Sequence, residues 1–233
     1  MAGFFSQEQP KGISRVFFLE TAGREELSAR QACAVESAAR LHPSWTVHLL
    51  SVHNKHGSRA NAENRFARVL QAIPNVVMKE MKPEEAFRGT PLEPWYESGA
   101  LNKSAHPVEH LADALRLAEI FHRGGIYLDI DVVVLRSLAS LTLPFVSQSP
   151  TKNGDMVSNG FLGFQAGHPF LLALMQRASR VYQPKQWATI GPELLRLEVL
   201  ARCGVRNINA VVGQRCNGTD AFMVWAYFFA FKR

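Results

Sequence analysis

The sequence predicts an α/β fold, because short apolar segments alternate with amphipathic ones in the order β-α-β-α-β. Strands are expected at 16–19, 46–50 and 76–78, and helices at 31–40 and 65–72. The chain has 233 residues, and 47% of them are hydrophobic. This length and composition allow a substantial buried core and favour one domain, or one domain with an appendage.

The first strand and the first helix carry clear boundary signals. The apolar run Val16–Leu19 ends at Glu20 and Thr21, so polar atoms mark the carboxyl end of the strand. Ser28 followed by Gln31 predicts a capping box at the start of a helix, and the proline after His42 predicts its end.

A longer helix is predicted from Pro107 to His122, since proline is favoured in a first turn. Its apolar residues recur on one face with 3-4-3 spacing, namely Val108, Leu111, Leu115 and Ala118. Gly124 and Gly125 end this helix, and Ile126–Leu128 follows as the next strand. Downstream we expect a strand at 156–164 and helices at 169–182 and 193–201.

The most informative feature is a pair of acids, Asp129 and Asp131, next to this apolar strand. We expect the strand to run on through Val132–Leu135, so that alternation points both carboxylates to one face. A hard divalent cation would stabilise them and keep coordination positions open for phosphate oxygens. Asp129 and Asp131 are therefore the candidate catalytic residues and metal ligands. The alternative is a strand end whose acids face water.

Asp113 and Arg116 are candidate ligand-binding residues on the preceding helix, where a spacing of three places them on one face. Asp113 is expected to orient a sugar or ribose hydroxyl. Arg116 is expected to hold Asp113 or a phosphate, because its planar guanidinium suits both partners. A surface ion pair is the alternative.

Further candidates lie downstream and in a loop. Asn159 and Gly160 suit contact with sugar hydroxyls, although an ordinary bulge is equally consistent with them. The Gly191-Pro192 turn offers backbone N–H groups at a helix start, where a polar ligand can bind. Trp95 and Tyr96 could stack on a sugar, but large aromatic residues are more often part of a core.

A strand followed by Asp-x-Asp-x-Val is also typical of haloacid-dehalogenase-like phosphatases, in which the first acid is a nucleophile. Those enzymes carry the motif on their first strand and need a downstream lysine and an acidic pair. Here several elements precede the motif and the later acids are isolated. A phosphatase is therefore the more remote alternative.

The formal net charge of +6 suits an anionic ligand. The chain has no basic run longer than two residues, no zinc-ligand spacing and no aromatic-basic repeat, which argues against nucleic-acid binding. Of the three cysteines, Cys33 is expected to fill the core, while Cys203 and Cys216 could pair in an oxidising compartment. Asn102 and Asn217 begin Asn-x-Ser/Thr triplets that would accept glycans in a secretory lumen.

The sequence predicts neither a signal peptide nor a membrane anchor. Residues 1–6 lack a basic segment followed by an apolar one. The longest apolar stretch, 221–231, is shorter than the ~20 residues that span a bilayer.

Taken together, these segments resemble the α1,4-glycosyltransferase family, typified by globotriaosylceramide synthase (lactosylceramide 4-α-galactosyltransferase) and α1,4-N-acetylglucosaminyltransferase. The resemblance runs from about Val16 to Cys203. The matching segments are Phe17–Thr21, Arg30–Arg40, Thr90–Leu92 with Trp95 and Tyr96, His110–Arg116, Gly124–Asp131, Asn159-Gly160 and Gly191–Leu195.

The resemblance implies a GT-A fold, that is, a Rossmann-like, mixed and mostly parallel sheet flanked by helices in a single domain. It also implies a Golgi-lumenal membrane enzyme that uses Mn²⁺ and a UDP-sugar. Such an enzyme would transfer a hexose or N-acetylhexosamine in α1,4 linkage, with retention, to a galactose-ended glycolipid or glycan. Asp129 and Asp131 would form the DXD motif. The donor-binding residues would be Glu20, Thr21, Asp113, Arg116, Gly125, Asn159, Gly160, Gly191 and Pro192.

The chain departs from this family at both ends. We expect a polar leader at 1–13, a nucleotide-sugar-binding region with the DXD motif at 14–165, and a C-terminal region at 166–233. We expect no family anchor in this sequence, and after about residue 203 we expect it to be atypical or truncated, since no His-x-Trp element is found there. Activity could therefore be impaired, and a non-catalytic chain that binds only the donor is an alternative. Glu193 is one candidate for a nucleophile, and front-face transfer is equally consistent with the sequence.

Overall fold

The computed structural model describes residues 14–23, 26–52, 65–149, 155–216 and 223–225. The strands in these segments are β1 (Arg15–Glu20), β2 (Thr46–Val52), β3 (Val76–Met81), β4 (Gly125–Leu128), β5 (Phe145–Gln148), β6 (Val157–Phe164) and β7 (Met223–Trp225). The α-helices are α1 (Ala29–Leu41), α2 (Arg65–Gln71), α3 (Pro83–Phe87), α4 (Glu93–Glu97), α5 (Pro107–Arg123), α6 (Pro169–Val181) and α7 (Pro192–Cys203). Two 3-10 helices lie at Ala100–Lys103 and Ile208–Ala210.

All seven strands form one sheet in the order β3-β2-β1-β4-β6-β5-β7. Strands β3, β2, β1 and β4 are parallel, β6 is antiparallel to both β4 and β5, and β7 is parallel to β5. The chain runs outward from β1 to β3 and then returns to place β4 on the other side of β1. The boundary between β1 and β4 is therefore the topological switch point, where open α/β sheets bind ligands.

Alternation along β1 divides the core between the two faces of the sheet. Val16 and Phe18 pack in the cluster that contains α1 and α2, whereas Phe17 and Leu19 pack in the cluster that contains α5, α6 and α7. Tyr127 of β4 belongs to the α5 side as well. The Tyr127 ring therefore faces α5, where it lies under the guanidinium of Arg116.

The predicted β-α-β-α-β order, the capping box at Ser28 and Gln31, and the mixed sheet are confirmed. The expected extension of the acid-bearing strand is wrong, because β4 ends at Leu128. Asp129–Asp131 instead form a turn, in which the backbone N–H of Val132 donates to the carbonyl of Asp129 at 2.9 Å. A turn at the carboxyl end of β4, and not alternation along a strand, therefore positions the two acids.

The cysteine predictions have mixed outcomes. Cys203 and Cys216 form a disulfide bond, as anticipated for an oxidising compartment. Cys33 is exposed and does not fill the core, because it lies on the outer face of α1 while Ala32 and Ala34 face inward.

Several predictions concern residues outside the described segments. These are the polar leader at 1–13, the glycan acceptor Asn217 and most of the apolar stretch 221–231. Among the described helices, none combines the length and the apolar character needed to cross a bilayer.

Candidate active site

A cleft of about 630 Å³ lies at the carboxyl ends of β1 and β4. Three predicted site residues line it from neighbouring strands: Thr21 after β1, Asp129 after β4 and Asn159 on β6. Gly160, Asp131, Asp113, Arg116 and Pro192 line it as well. The sheet order therefore gathers at one edge residues that are far apart in the sequence.

Arg116 of α5 lies at the centre of the polar network beneath the cleft. Its guanidinium donates to Asp113 Oδ1 at 3.1 Å, to Asp129 Oδ1 at 2.9 Å and to the carbonyl of Asn159 at 2.8 Å. It also donates to the carbonyl of Ala112 at 3.1 Å. The side chain is only 7% exposed, so this is a buried ion-pair network and not the surface pair considered from the sequence.

These partners occupy most of the five N–H donors of Arg116. The sequence suggested that Arg116 holds either Asp113 or a phosphate, and in the structure it bridges Asp113 and Asp129. Burial alone would lower the pKa of Arg116, but Tyr127, Asp129 and Asp113 together raise it. Arg116 therefore remains a cation that orients the acids of the site.

Asp129 is held on one edge by two donors. Its Oδ1 accepts from Arg116 and, at 2.8 Å, from the Tyr127 hydroxyl. The guanidinium of Arg116 also stacks over the Tyr127 ring, 4.7 Å from its centroid. A Cβ atom at position 160 would overlap Asp129 Oδ2, so Gly160 provides the space for this carboxylate. The Asp129 side chain remains 36% exposed, so it is accessible from the cleft.

Asp131 contrasts with Asp129, because its side chain has neither a hydrogen-bond nor an ion-pair partner among the described residues that surround it. It is partly exposed and lines the same cleft. No group of three or more His, Cys, Asp or Glu side chains that could hold a metal occurs within the described segments. Two carboxylates that leave the other positions to water and phosphate oxygens nevertheless suit a hard divalent cation of the Mg²⁺ type.

Asp113 is a buried acid with two partners. Its Oδ1 accepts from Arg116 and, at 2.6 Å, from the Asn159 side-chain amide. Burial is the main cause that raises the pKa of Asp113 to about 6; the charge of Asp129 adds to this effect, while Arg116 and the hydrogen bond from Asn159 oppose it. Gly191 packs against this pair, since a Cβ atom there would overlap Asp113 Oδ2 and lie 2.9 Å from Asn159 Nδ2.

Three proposed donor-binding residues do not line the cleft. Glu20 accepts hydrogen bonds from the backbone N–H groups of Ala22 and Gly23, both at 3.1 Å, and so shapes the turn that carries Thr21. Gly125 lies at the start of β4, where a Cβ atom would be 2.8 Å from the Arg15 carbonyl. Gly191 lies behind Asp113, as described above. Each supports the site through packing or turn geometry.

The exposed aromatic residue at the cleft is not one that the sequence suggested. Trp95 is 5% exposed and packs in the core against Phe87 and Tyr182. Trp187, which precedes α7, instead lines the cleft and is 59% exposed. No periodicity or motif distinguishes Trp187 in the sequence.

Tyr127 and Glu193 also differ from what the sequence predicted for the site. The Tyr127 hydroxyl was missed, although its position two residues before Asp129 would have placed both on one face of an extended strand. Glu193 does not line the cleft, and its carboxylate is bound by Arg196 at 2.9 and 3.0 Å. These contacts do not support Glu193 as a nucleophile.

We expect Arg116→Met to lower the free energy of unfolding by about 3–5 kcal/mol, because it leaves Asp113 buried without its cationic partner. Arg40→Met is the matched control, since Arg40 is 67% exposed and, among the described residues, pairs with Glu36 alone, so its loss should cost at most about 1 kcal/mol. Denaturant unfolding measures both values. Equal losses in the two variants would contradict a buried role for Arg116.

The raised pKa of Asp113 predicts a pH dependence of stability. A carboxyl group with a higher pKa in the folded chain binds its proton more tightly there, so the free energy of unfolding falls as pH rises from about 4 to 6. The expected fall is about 3 kcal/mol. Unfolding titrations across this range should show that Asp113→Asn removes the fall. An unchanged pH profile in that variant would show that Asp113 is not the group responsible for the fall.

Comparisons with known proteins give the family. A model described as "Glycosyltransferase sugar-binding region containing DXD motif" matches residues 28–149. A second, described as "Alpha 1,4-glycosyltransferase conserved region", matches residues 163–232 and so extends across the segment expected to be atypical. Among solved structures, PaToxG glycosyltransferase has a TM-score of 0.64 at 18% identity, covering 82% of this chain and 70% of that one. This similarity supports the predicted GT-A fold.

Curated relatives agree with these models. Mouse lactosylceramide 4-α-galactosyltransferase is 32% identical over 214 residues, which cover 91% of this chain and 58% of the relative. Human α-1,4-N-acetylglucosaminyltransferase is 30% identical over 86% of this chain and 58% of its own length. The Pongo pygmaeus galactosyltransferase is 33% identical over 67% of this chain and 69% of that sequence. The chain thus spans somewhat more than half of the first two relatives, and it belongs to the DXD-containing glycosyltransferases of the α1,4-glycosyltransferase family.

Proposed function

We propose that the chain transfers a hexose or N-acetylhexosamine from a UDP-sugar to a galactose-ended glycolipid or glycan, in α1,4 linkage and with retention. The acceptor and linkage are inferred from two relatives, a lactosylceramide 4-α-galactosyltransferase and an α-1,4-N-acetylglucosaminyltransferase. The observation that carries the proposal is that Asp129 and Asp131 line one cleft at the switch point of the sheet. UDP-galactose and UDP-N-acetylhexosamine are the donor candidates.

The acid pair fits a divalent cation, for which we propose Mn²⁺. Arg116 and Tyr127 both donate to Oδ1 of Asp129. We therefore propose that the other oxygen of this carboxylate is available to a cation in the cleft. Asp131 supplies a second carboxylate there. When bound, the cation would neutralise negative charge that develops on the departing UDP.

The remaining cleft residues support binding of the donor. Thr21 lies on the β1 side of the acid pair, and Asn159 and Pro192 lie on the other side. We propose that the nucleotide lies towards Thr21 and the donor sugar towards Asp113 and Asn159. Asp113 is already bound by Arg116 and Asn159, an arrangement that favours front-face transfer over a covalent intermediate on this carboxylate.

The main test is transfer from UDP-sugars to lactosylceramide and to lactose in the presence of Mn²⁺. Asp129→Asn and Asp131→Asn should each reduce turnover by about 100-fold or more, because each removes a cation ligand. Glu97→Gln is the matched control, since Glu97 is an exposed acid outside the cleft, and it should leave turnover unchanged.

Two results would contradict parts of this proposal. Turnover that survives both chelation and Asp131→Asn would exclude the acid pair as the cation site. Mn²⁺-dependent binding of UDP without any transfer would favour the alternative of a non-catalytic chain that binds only the donor.

We also propose that the protein acts in the Golgi lumen, in association with the membrane. The Cys203–Cys216 disulfide bond and the exposed acceptor Asn102 both suit an oxidising secretory compartment. Immunolocalisation with a Golgi marker should show co-localisation, and glycosidase treatment should produce a mass shift that Asn102→Gln reduces. A cytosolic protein without glycans would contradict this location.

A further inference from the structure

Trp187 has the highest exposed fraction, 59%, among the large apolar side chains that are exposed in the described residues. It contributes to the cleft that contains the acid pair. A tryptophan ring left largely in water gains little from burial, and its place in the cleft, among other apolar lining residues, is what points to a ligand contact. Aromatic residues with an exposed face are common where a protein binds a partly apolar ligand.

The backbone that carries Trp187 is fixed, although its side chain is exposed. His110 of α5 is fully buried, and its Nε2 lies 3.1 Å from the carbonyl oxygens of both Gln186 and Trp187. Carbonyl oxygens only accept, so Nε2 carries the proton and donates. On the other side of the ring, Nδ1 lies 2.7 Å from Ser104 Oγ and 3.0 Å from the Tyr182 hydroxyl.

Two further hydrogen bonds hold the same segment in place. The backbone N–H of Ala105 donates to the carbonyl of Pro184 at 2.8 Å. The N–H of Gln183 donates to Thr189 Oγ1 at 2.9 Å. The segment 183–190 is therefore attached to the start of α5, the helix that also carries Asp113 and Arg116. The backbone of Trp187 is therefore held in place, while its ring remains exposed at the cleft.

The surroundings of Trp187 differ chemically from the acid pair. Val108 and Glu109 are exposed, line the cleft and directly precede His110, which binds the Trp187 carbonyl. The partly buried Met156 before β6 lines the cleft as well. An apolar surface with a carboxylate at its edge suits a sugar, because a pyranose has a face of C–H groups and a rim of hydroxyl donors. The axial hydroxyl of galactose leaves one such face especially apolar.

We propose that Trp187, together with Val108 and Glu109, forms the subsite for the terminal galactose of the acceptor. The Trp187 ring would stack on the C–H face of the sugar, and Glu109 would accept hydrogen bonds from its hydroxyls. This inference rests on the proposed function, in which the donor occupies the region between Thr21 and Asn159. His110 is then a positioning residue that holds the backbone of Trp187.

Kinetics with lactose as a soluble acceptor test the subsite. Trp187→Ala should raise the acceptor KM by about tenfold and leave the donor KM and the rate of UDP-sugar hydrolysis by water unchanged. Trp187→Phe should restore most of the acceptor affinity, because it keeps an aromatic face. Leu135→Ala is the matched control, since Leu135 is 56% exposed and lies outside the cleft.

Equilibrium binding of lactose in the presence of UDP and Mn²⁺, measured by calorimetry, separates the subsite from the transfer reaction. Lactose binding that Trp187→Ala abolishes would support the subsite even if the chain transfers no sugar. Transfer with an unchanged acceptor KM in Trp187→Ala would overturn the subsite and leave the proposed function intact.

Two other outcomes would also overturn the inference. One is the absence of lactose binding to the unaltered chain under conditions where UDP binds. The other is an effect of Trp187→Ala that appears only with lactosylceramide in vesicles and not with lactose, because this would make Trp187 a membrane contact.

Discussion

The site depends on one buried cation. Arg116 joins Asp113 on its own helix to Asp129 after β4 and also binds the backbone of β6. Removing one member of a buried network of this kind leaves a buried charge without a partner, so the positions of its members depend on one another. Because Arg116 takes one edge of Asp129, the other edge and the whole of Asp131 remain available to the cleft. The arrangement of the acids thus follows from a structural ion pair beneath them.

The sheet explains why such a network can form here. Strands β1 and β4 are neighbours although more than a hundred residues separate them, and β6 returns antiparallel beside β4. Residues at the ends of these three strands therefore meet under α5. Gly160 completes the arrangement, because any side chain at that position would occupy the space of the Asp129 carboxylate.

Much of this architecture could be predicted from local patterns. Apolar runs, the capping box at Ser28 and the spacing of α5 each depend on neighbouring residues, and the acid pair was visible as a motif. Other features depend on tertiary contacts that local patterns do not reveal. The strand predicted through Leu135 ends early at Leu128, and Cys33 lies on the outer face of its helix. Trp187 was overlooked because only the fold, through His110, brings its segment to the cleft.

Asp129 and Asp131 are proposed to hold a divalent cation together against a nucleoside diphosphate. Crystals grown with UDP and Mn²⁺, with anomalous diffraction recorded near the manganese edge, test it most directly. We expect a single strong peak in contact with both carboxylates and with the diphosphate, while Arg116 still bridges Asp113 and Asp129. A peak elsewhere, or UDP bound in the cleft without a metal between it and these acids, would contradict it.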